Sequence, residues 1–390
     1  QQAETNTSIR EGWFYRDDTH QKVRSTDDVF DIYERAVGGN STFLLNIPPN
    51  RDGKFSPADV AVLKGTGQRI RETYGTDLFR QAEGPKEVLD QNADTYVTVD
   101  KDGPGIVIST PQPVTLNRLV LQEAIATNGE RVEKHAVDAW IDGGWKEIAH
   151  STNIGYKRIL RFPDVTTDKI RVRILESRLT PAICTISAHH YKARPPRLSA
   201  QRNMDGLVTI EPMPQEFGWK AHGENIAENL NAGFKIYYTT DGTEPSAGST
   251  EYKDPFQMGN NELKAVAILN GEKGAILQER FGLVKKEWKV IGKTAQFLAI
   301  DLGSEHILSG FAFTPQKQGD KGTVAGIIRI SNDGKNWKEM ESFEFGNLIN
   351  DPSKRYHHFK QMVKARYIQV EAAEIAARTE ADALAGIDIF

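Results

Sequence analysis

The 390 residues carry 49 Lys+Arg against 53 Asp+Glu, a formal net charge of -4 with both signs interspersed, which leaves no electrostatic footprint for nucleic acid. No apolar run is long enough to cross a membrane as a helix, and the single cysteine, Cys184, excludes an internal disulfide. At roughly 100–200 residues per domain, this length predicts two to four domains.

The first stretch, "QQAETNTSIREGWFYRDDTH", has no initiator Met, basic n-region or apolar h-region, so it is not a signal peptide. It reads as a chain whose beginning has been removed. Residues 1–76 then alternate helix and strand. "STDDVFDIYERAVGG" sets Val29, Phe30, Ile32, Tyr33 and Val37 mostly on one helical face, with Ser25 or Thr26 as N-cap and Gly38-Gly39 as the stop. "STFLLNIPP" has the short apolar run and terminal Pro pair of a buried parallel strand. "SPADVAVLKGTGQRIRETYG" begins with a Ser cap and Pro at the first helical position, and stops at Gly75. Such a unit cannot bury its own faces, and it implies a larger partner.

From residue 77 onward, short strands rich in Val, Ile, Thr and Tyr alternate with Gly, Pro, Asn and Asp turns, as β-sandwiches do. "KARPPRLSA" marks a boundary near 194, and a further all-β block fills 285–390. Cys184, inside "AICTISAHHY", is expected to be a small buried residue and not a nucleophile. In "DAWIDGGWKEIA", Asp142 lies between Trp140 and Trp145. It could be a sugar-cleaving carboxylate beside a stacking platform, or a hairpin turn. A second copy decides for the turn: "IRISNDGKNWKEM" repeats strand, Asp-Gly and Trp-Lys-Glu, which sets Asp142 and Asp333 at the same place in two repeats.

His189-His190 and His357-His358 cannot chelate a metal as pairs, because adjacent strand residues point to opposite faces. No metal site is expected from them. "LAIDLGSEHILSGFAFTPQ", "IRISNDGKNWKEM" and "ARYIQVEA" resemble the discoidin module over residues 285–390, and "DGGWKEIAHSTNIGYKRILRF" extends the likeness to 77–193. The middle block, 194–284, with "IYYTTDGTEPS", resembles the small immunoglobulin-like domain at the C-terminus of chitobiases and hexosaminidases. The discoidin resemblance implies sugar-binding loops, with Tyr156, Arg158, His150 and His306 as candidates. It also permits a structural calcium near Asp301 and Asp320.

"AETNTSIREGWFYRDD" and "FDIYERAVGGNSTFLLNIPPNRDGKFSPADVAVL" resemble the end of the (β/α)8 barrel of retaining α-L-fucosidases. Two departures stand out: Glu11 replaces the usual Pro and Arg16 the usual His. Retaining glycosidases use two carboxyl groups roughly 5–5.5 Å apart. The resemblance gives Glu4 the general acid/base role, although Glu4 alone reads as a solvated residue near a terminus. The nucleophile is expected upstream, outside this chain. Trp13 could line the pocket and stack on the sugar, whereas Phe14 and Tyr15 are expected in barrel core. Asn46 ends the presumed last barrel strand, where it orients pocket residues or satisfies loop backbone, and Arg16 falls at the pocket rim. Arg10 reads as a structural ion pair or carbonyl cap.

The expected fold is thus a barrel remnant (1–76) followed by three β-sandwiches, two discoidin-like (77–193 and 285–390) and one immunoglobulin-like (194–284). The resemblance implies an exo-acting α-L-fucosidase on fucosylated glycans, periplasmic or secreted, that is inactive as this chain alone. A stand-alone carbohydrate-binding or adhesive protein is the alternative from another class. A hexosaminidase or sialidase with similar appendages is a weaker third reading.

Overall fold

A computed structural model describes residues 3–10, 12–16, 23–100, 103–213, 233–314, 325–345, 354–372 and 384–390. Glu11 and Asp320, and most of the Ala-rich stretch after 373, lie outside the described residues. The chain forms two compact units, one mainly of residues up to 193, the other mainly of residues from 194 onward.

The first unit opens with β1 (Ala3–Ser8), α1 (Thr26–Val37), β2 (Ser41–Asn46) and α2 (Pro57–Tyr74). The two strands run parallel, in register from Ala3 opposite Ser41 to Ser8 opposite Asn46. The capping chemistry read from the sequence accounts for both helices. Ser25 accepts a hydrogen bond from the Asp28 backbone N–H, and acidic residues fill the first turn of α1. Pro57 starts α2, and Gly75 closes it. Gly38 ends α1 without a positive φ; the left-handed residue of that corner is Asn40, at φ 63.

One expectation for α1 changes. Val29 and Phe30 are buried, but Ile32, Tyr33 and Val37 are only half-buried, while Asp28, Asp31 and Glu34 are buried beside them. Charges enter an interior only when paired, and each of these carboxylates meets an arginine: Arg24, Arg161 and Arg118 respectively.

The rest of this unit is antiparallel. The long strands Ile106–Glu123 and Arg158–Ser177 pair with each other, flanked by Ala182–His189 on one side and the hairpin Val132–Ile141 with Gly144–Ser151 on the other. Leu116, Leu119, Leu121, Ile170, Val172 and Ile183 fill the core. Cys184 is buried with Ala124 and Ala182, and burial pushes its thiol pKa up, so it behaves as a small apolar residue.

In the second unit, a three-stranded and a five-stranded sheet enclose Leu198, Val208, Ile210, Ile236, Leu263 and Phe281. A six-stranded sheet follows. Its long strands Phe297–Phe313 and Arg355–Ala372 pair, flanked by Ile387–Ile389 and by Ala325–Ser331 with Lys338–Glu344. Five strands recur in the neighbour order of the first unit, so the repeat in the sequence is a repeat in topology. The sixth differs, since Val97–Thr98 pairs with Ala182–His189 in the first unit whereas Lys289–Lys293 pairs with Phe297–Phe313 in the second.

The two hairpins differ in detail, and this corrects the expected equivalence of Asp142 and Asp333. Asp142-Gly143 is a two-residue turn, with φ 53 and 79, between Val132–Ile141 and Gly144–Ser151. Positive φ at both central residues is what a I′ hairpin requires. Asp333 sits instead in the longer loop between Ser331 and Lys338. There its carboxylate accepts from the Lys335 and Asn336 backbone N–H groups and from the Ser331 hydroxyl. Those hydrogen bonds hold its pKa far below the usual carboxylate range.

Candidate active site

The most organised polar group in the α/β segment lies where β1 and β2 end. Asn46, the last residue of β2, precedes Ile47-Pro48-Pro49, and the prolines lack the donors needed to extend the ladder. Its register partner is Ser8, the last residue of β1. Asn46 Nδ2 donates to Ser8 Oγ at 3.2 Å and to the Trp13 carbonyl at 2.8 Å, while the Asn46 carbonyl accepts from Ile9 N at 2.9 Å. Gly12, at φ 80, makes the turn that follows. Beyond it Trp13 is 44% and Phe14 78% exposed, so Phe14 is not the core residue expected of it, and Tyr15 is half-buried. This is the end of parallel strands at which barrel enzymes place their chemistry.

Arg10 forms the structural ion pair expected of it: Nε donates to Asp59 Oδ1 at 2.9 Å, and its backbone N–H reaches Ser8 Oγ at 3.3 Å. Its guanidinium carbon stands 5.7 Å from the Tyr15 ring centroid. Ser8 and Asp59 were not singled out from the sequence. Ser8 matters only through the strand register, which no local pattern encodes. Asp59 reads locally as an ordinary first-turn acid.

Glu4 lies on β1 opposite Thr42. By the two-residue alternation of strands it shares a face with Asn6 and Ser8, and it is exposed there. It is four residues short of Ser8, about 13 Å at ~3.3 Å per residue. The sheet therefore brings Asn46 and Trp13 together, and does not bring Glu4 to them. Arg16 is half-buried, three residues past Trp13.

The carboxylate between tryptophans has no catalytic surroundings. Asp142 projects into solvent at the hairpin tip, and its side chain meets Lys146 Nζ at 2.7 Å, which lowers its pKa. Trp140 and Trp145 are cross-strand partners in edge contact, with Arg171 4.6 Å from the Trp145 centroid. Asp301 is similarly committed. Both its oxygens accept from Arg366 at 2.8 Å, and Oδ1 also accepts from Gly303 N. Among the sugar-loop candidates, Tyr156 is 64% exposed, whereas Arg158 is tied to Asn153. His150 is bonded to Glu147, and His306 to Ser304.

A family model described as alpha-L-fucosidase matches residues 1–74. An F5/8 type C domain model matches residues 259–381, and an Fn3 associated model residues 226–281. A protein of Oryza sativa subsp. japonica provisionally named alpha-L-fucosidase 1 is 31% identical over 199 residues, 46% of this chain and 38% of the relative. Alpha-L-fucosidase 1 of Arabidopsis thaliana is 28% identical over 200 residues, 46% of this chain and 39% of its own. A crystal structure from Bacteroides ovatus ATCC 8483, provisionally named an alpha-L-fucosidase, is 29% identical and covers 99% of this chain and 51% of its own, with a TM-score of 0.45. The chain thus spans well under half the length of the plant relatives it matches. The Asn46–Ser8–Trp13 cluster and Glu4 both fall within the residues that the alpha-L-fucosidase model matches.

Proposed function

We propose that this chain is the closing part of an exo-acting, retaining α-L-fucosidase that removes terminal fucose from glycans and is exported to the periplasm or secreted. In this reading residues 1–76 complete a (β/α)8 barrel. Residues 77–193 and 285–390 are discoidin-like sandwiches, and 194–284 an immunoglobulin-like one. The observation that carries the reading is the parallel pair β1–β2, whose exit ends gather Ser8, Asn46 and the exposed Trp13 loop within sequence of the fucosidase family. That same match favours an enzyme over a stand-alone carbohydrate-binding protein.

Trp13 offers an aromatic face to the apolar side of the fucose ring. Asn46 holds the loop that carries it, and Arg16 follows at the rim. Glu4 is the proposed general acid/base, protonating the departing glycosidic oxygen and then activating water, while the nucleophile comes from barrel sequence outside this chain. Its place on the open face of β1 supports this assignment. Its distance from the strand exit requires that the sugar reach down into the barrel.

The chain alone should not hydrolyse an aryl α-L-fucoside. Supplied with the missing barrel portion of a fucosidase, it should, and Glu4→Gln should abolish turnover while Asp142→Asn leaves it intact. Hydrolysis by the chain alone, lost with Glu4→Gln, would mean that no essential group is missing. Loss of hydrolysis with Asp142→Asn would restore a catalytic role to the hairpin.

A further inference from the structure

We propose that Asp59 is a positioning residue for the Trp13 loop, acting through Arg10. The described part of the loop after β1, residues 12–15, has a glycine at its start and aromatic side chains exposed beyond it. Such a segment keeps one orientation only if its backbone and flanks are anchored. Asn46 anchors the middle through the Trp13 carbonyl. The two flanks share one anchor: Arg10 enters the loop, Tyr15 leaves it, and the Arg10 guanidinium lies 5.7 Å from the Tyr15 ring centroid. That guanidinium is fixed in turn by Asp59 Oδ1 at 2.9 Å.

Asp59 is 0% exposed, so the pair operates without water, where direction and distance are tightly set. A simpler role is available. An acid in the first turn of α2 stabilises the helix dipole, and Ser56 supplies no side-chain cap there. The geometry favours the loop. A carboxylate serving the helix end would turn its oxygens to the free backbone N–H groups, but Oδ1 is on Arg10 and Oδ2 has no hydrogen-bond partner among the described residues. The consequence for sugar binding rests on the fucosidase reading of Trp13. The coupling of Asp59 to the loop does not.

The test uses the chain itself. Tryptophan fluorescence of each protein, less that of its Trp13→Phe counterpart, isolates Trp13. With Asp59→Asn, acrylamide quenching of this component should rise about twofold or more, as for a loop released from its anchor. Arg10→Lys, which keeps the charge but loses the planar fork, should do the same, and it serves as the test if Asp59→Asn does not fold. A lowered melting temperature with Trp13 quenching unchanged would reduce Asp59 to a helix-end acid and overturn the proposal. Protection of Trp13 by added fucose reports separately on the fucosidase reading, so the two can fail independently.

Discussion

Glu34 of α1 accepts two hydrogen bonds from Arg118, at 2.6 Å from Nε and 3.3 Å from Nη2, across 84 residues of sequence. Arg161 joins them, reaching Glu34 at 3.4 Å and Asp31 at 2.9 Å, and the Tyr74 hydroxyl donates to Glu34 at 2.6 Å. Burial, and then the Glu34 charge, raise the Tyr74 pKa well above its usual value, which keeps it a donor. The cluster joins α1 and α2 to the two long strands of the following sheet. Phe30 stacked on Tyr191, with centroids 5.4 Å apart, covers the cluster's neighbourhood with apolar surface. The six-stranded sheet of the first unit is therefore a fixed support of the two helices and not a tethered module.

Removing one member of a buried pair leaves its partner charged and dry, which typically costs about 3–5 kcal/mol. Glu34→Ala should lower the unfolding free energy by that order, measured by urea denaturation. Glu34→Leu combined with Arg118→Met, which removes both charges, should recover part of the loss. Equal losses in the single and double variants would show that the pair is not coupled.

Gly38 is a second point of close approach. A Cβ there would lie 2.5 Å from Ile159 Cβ and 2.2 Å from the Glu34 carbonyl oxygen. Gly38→Ala should therefore destabilise the unit by about 1–3 kcal/mol, the usual cost of overpacking. An unchanged denaturation midpoint would mean that α1 shifts freely on the sheet.

His135 predicts a pH dependence. Its Nδ1 donates to the Thr152 carbonyl at 2.7 Å, which leaves Nε2 buried with no hydrogen-bond partner among the described residues. Burial, with smaller contributions from Arg158 and His150, lowers its pKa from 6.5 to about 4. The unfolded chain takes up the proton first as pH falls. The stability His135 contributes is thus present above 6.5 and lost between 6.5 and about 4. At ~1.4 kcal/mol per unit, the loss is about 3 kcal/mol. His135→Asn keeps a donor for Thr152 but cannot titrate in this range. Unfolding free energies at pH 7 and pH 4.5 should diverge less for this variant than for the parent. Identical pH slopes would remove His135 as the cause.

The helices α1 and α2 were legible because their signals are local: Ser25 and Pro57 at the starts, Gly38 and Gly75 at the ends. The repeated sheet was legible because five of its strands recur in the same order. What could not be read depends on partners far along the chain. Asp28, Asp31 and Glu34 look like the solvated face of α1 until Arg118 and Arg161 arrive from the next sheet. The height of Glu4 on β1 follows from the register with Thr42, and the importance of Ser8 from the register with Asn46. Asp142 and Asp333 share local sequence, but the second copy has one more residue between its Asp and Trp, three against two, and its connection is a longer loop.

The hairpin supplies a final prediction. Asp142 and Gly143 both hold positive φ, but they stand differently toward substitution. Aspartate and asparagine tolerate the left-handed region, so Asp142→Asn keeps the turn and loses only an exposed contact with Lys146. It should leave the melting temperature unaltered. A Cβ at Gly143 meets nothing within 4 Å, so Gly143→Ala is opposed by backbone conformation alone, at about 1–2 kcal/mol. Because the turn fixes the register of Trp140 against Trp145, that strain should also alter the near-UV circular dichroism of the pair. If Asp142→Asn were the more damaging change, the carboxylate would have a role beyond the turn.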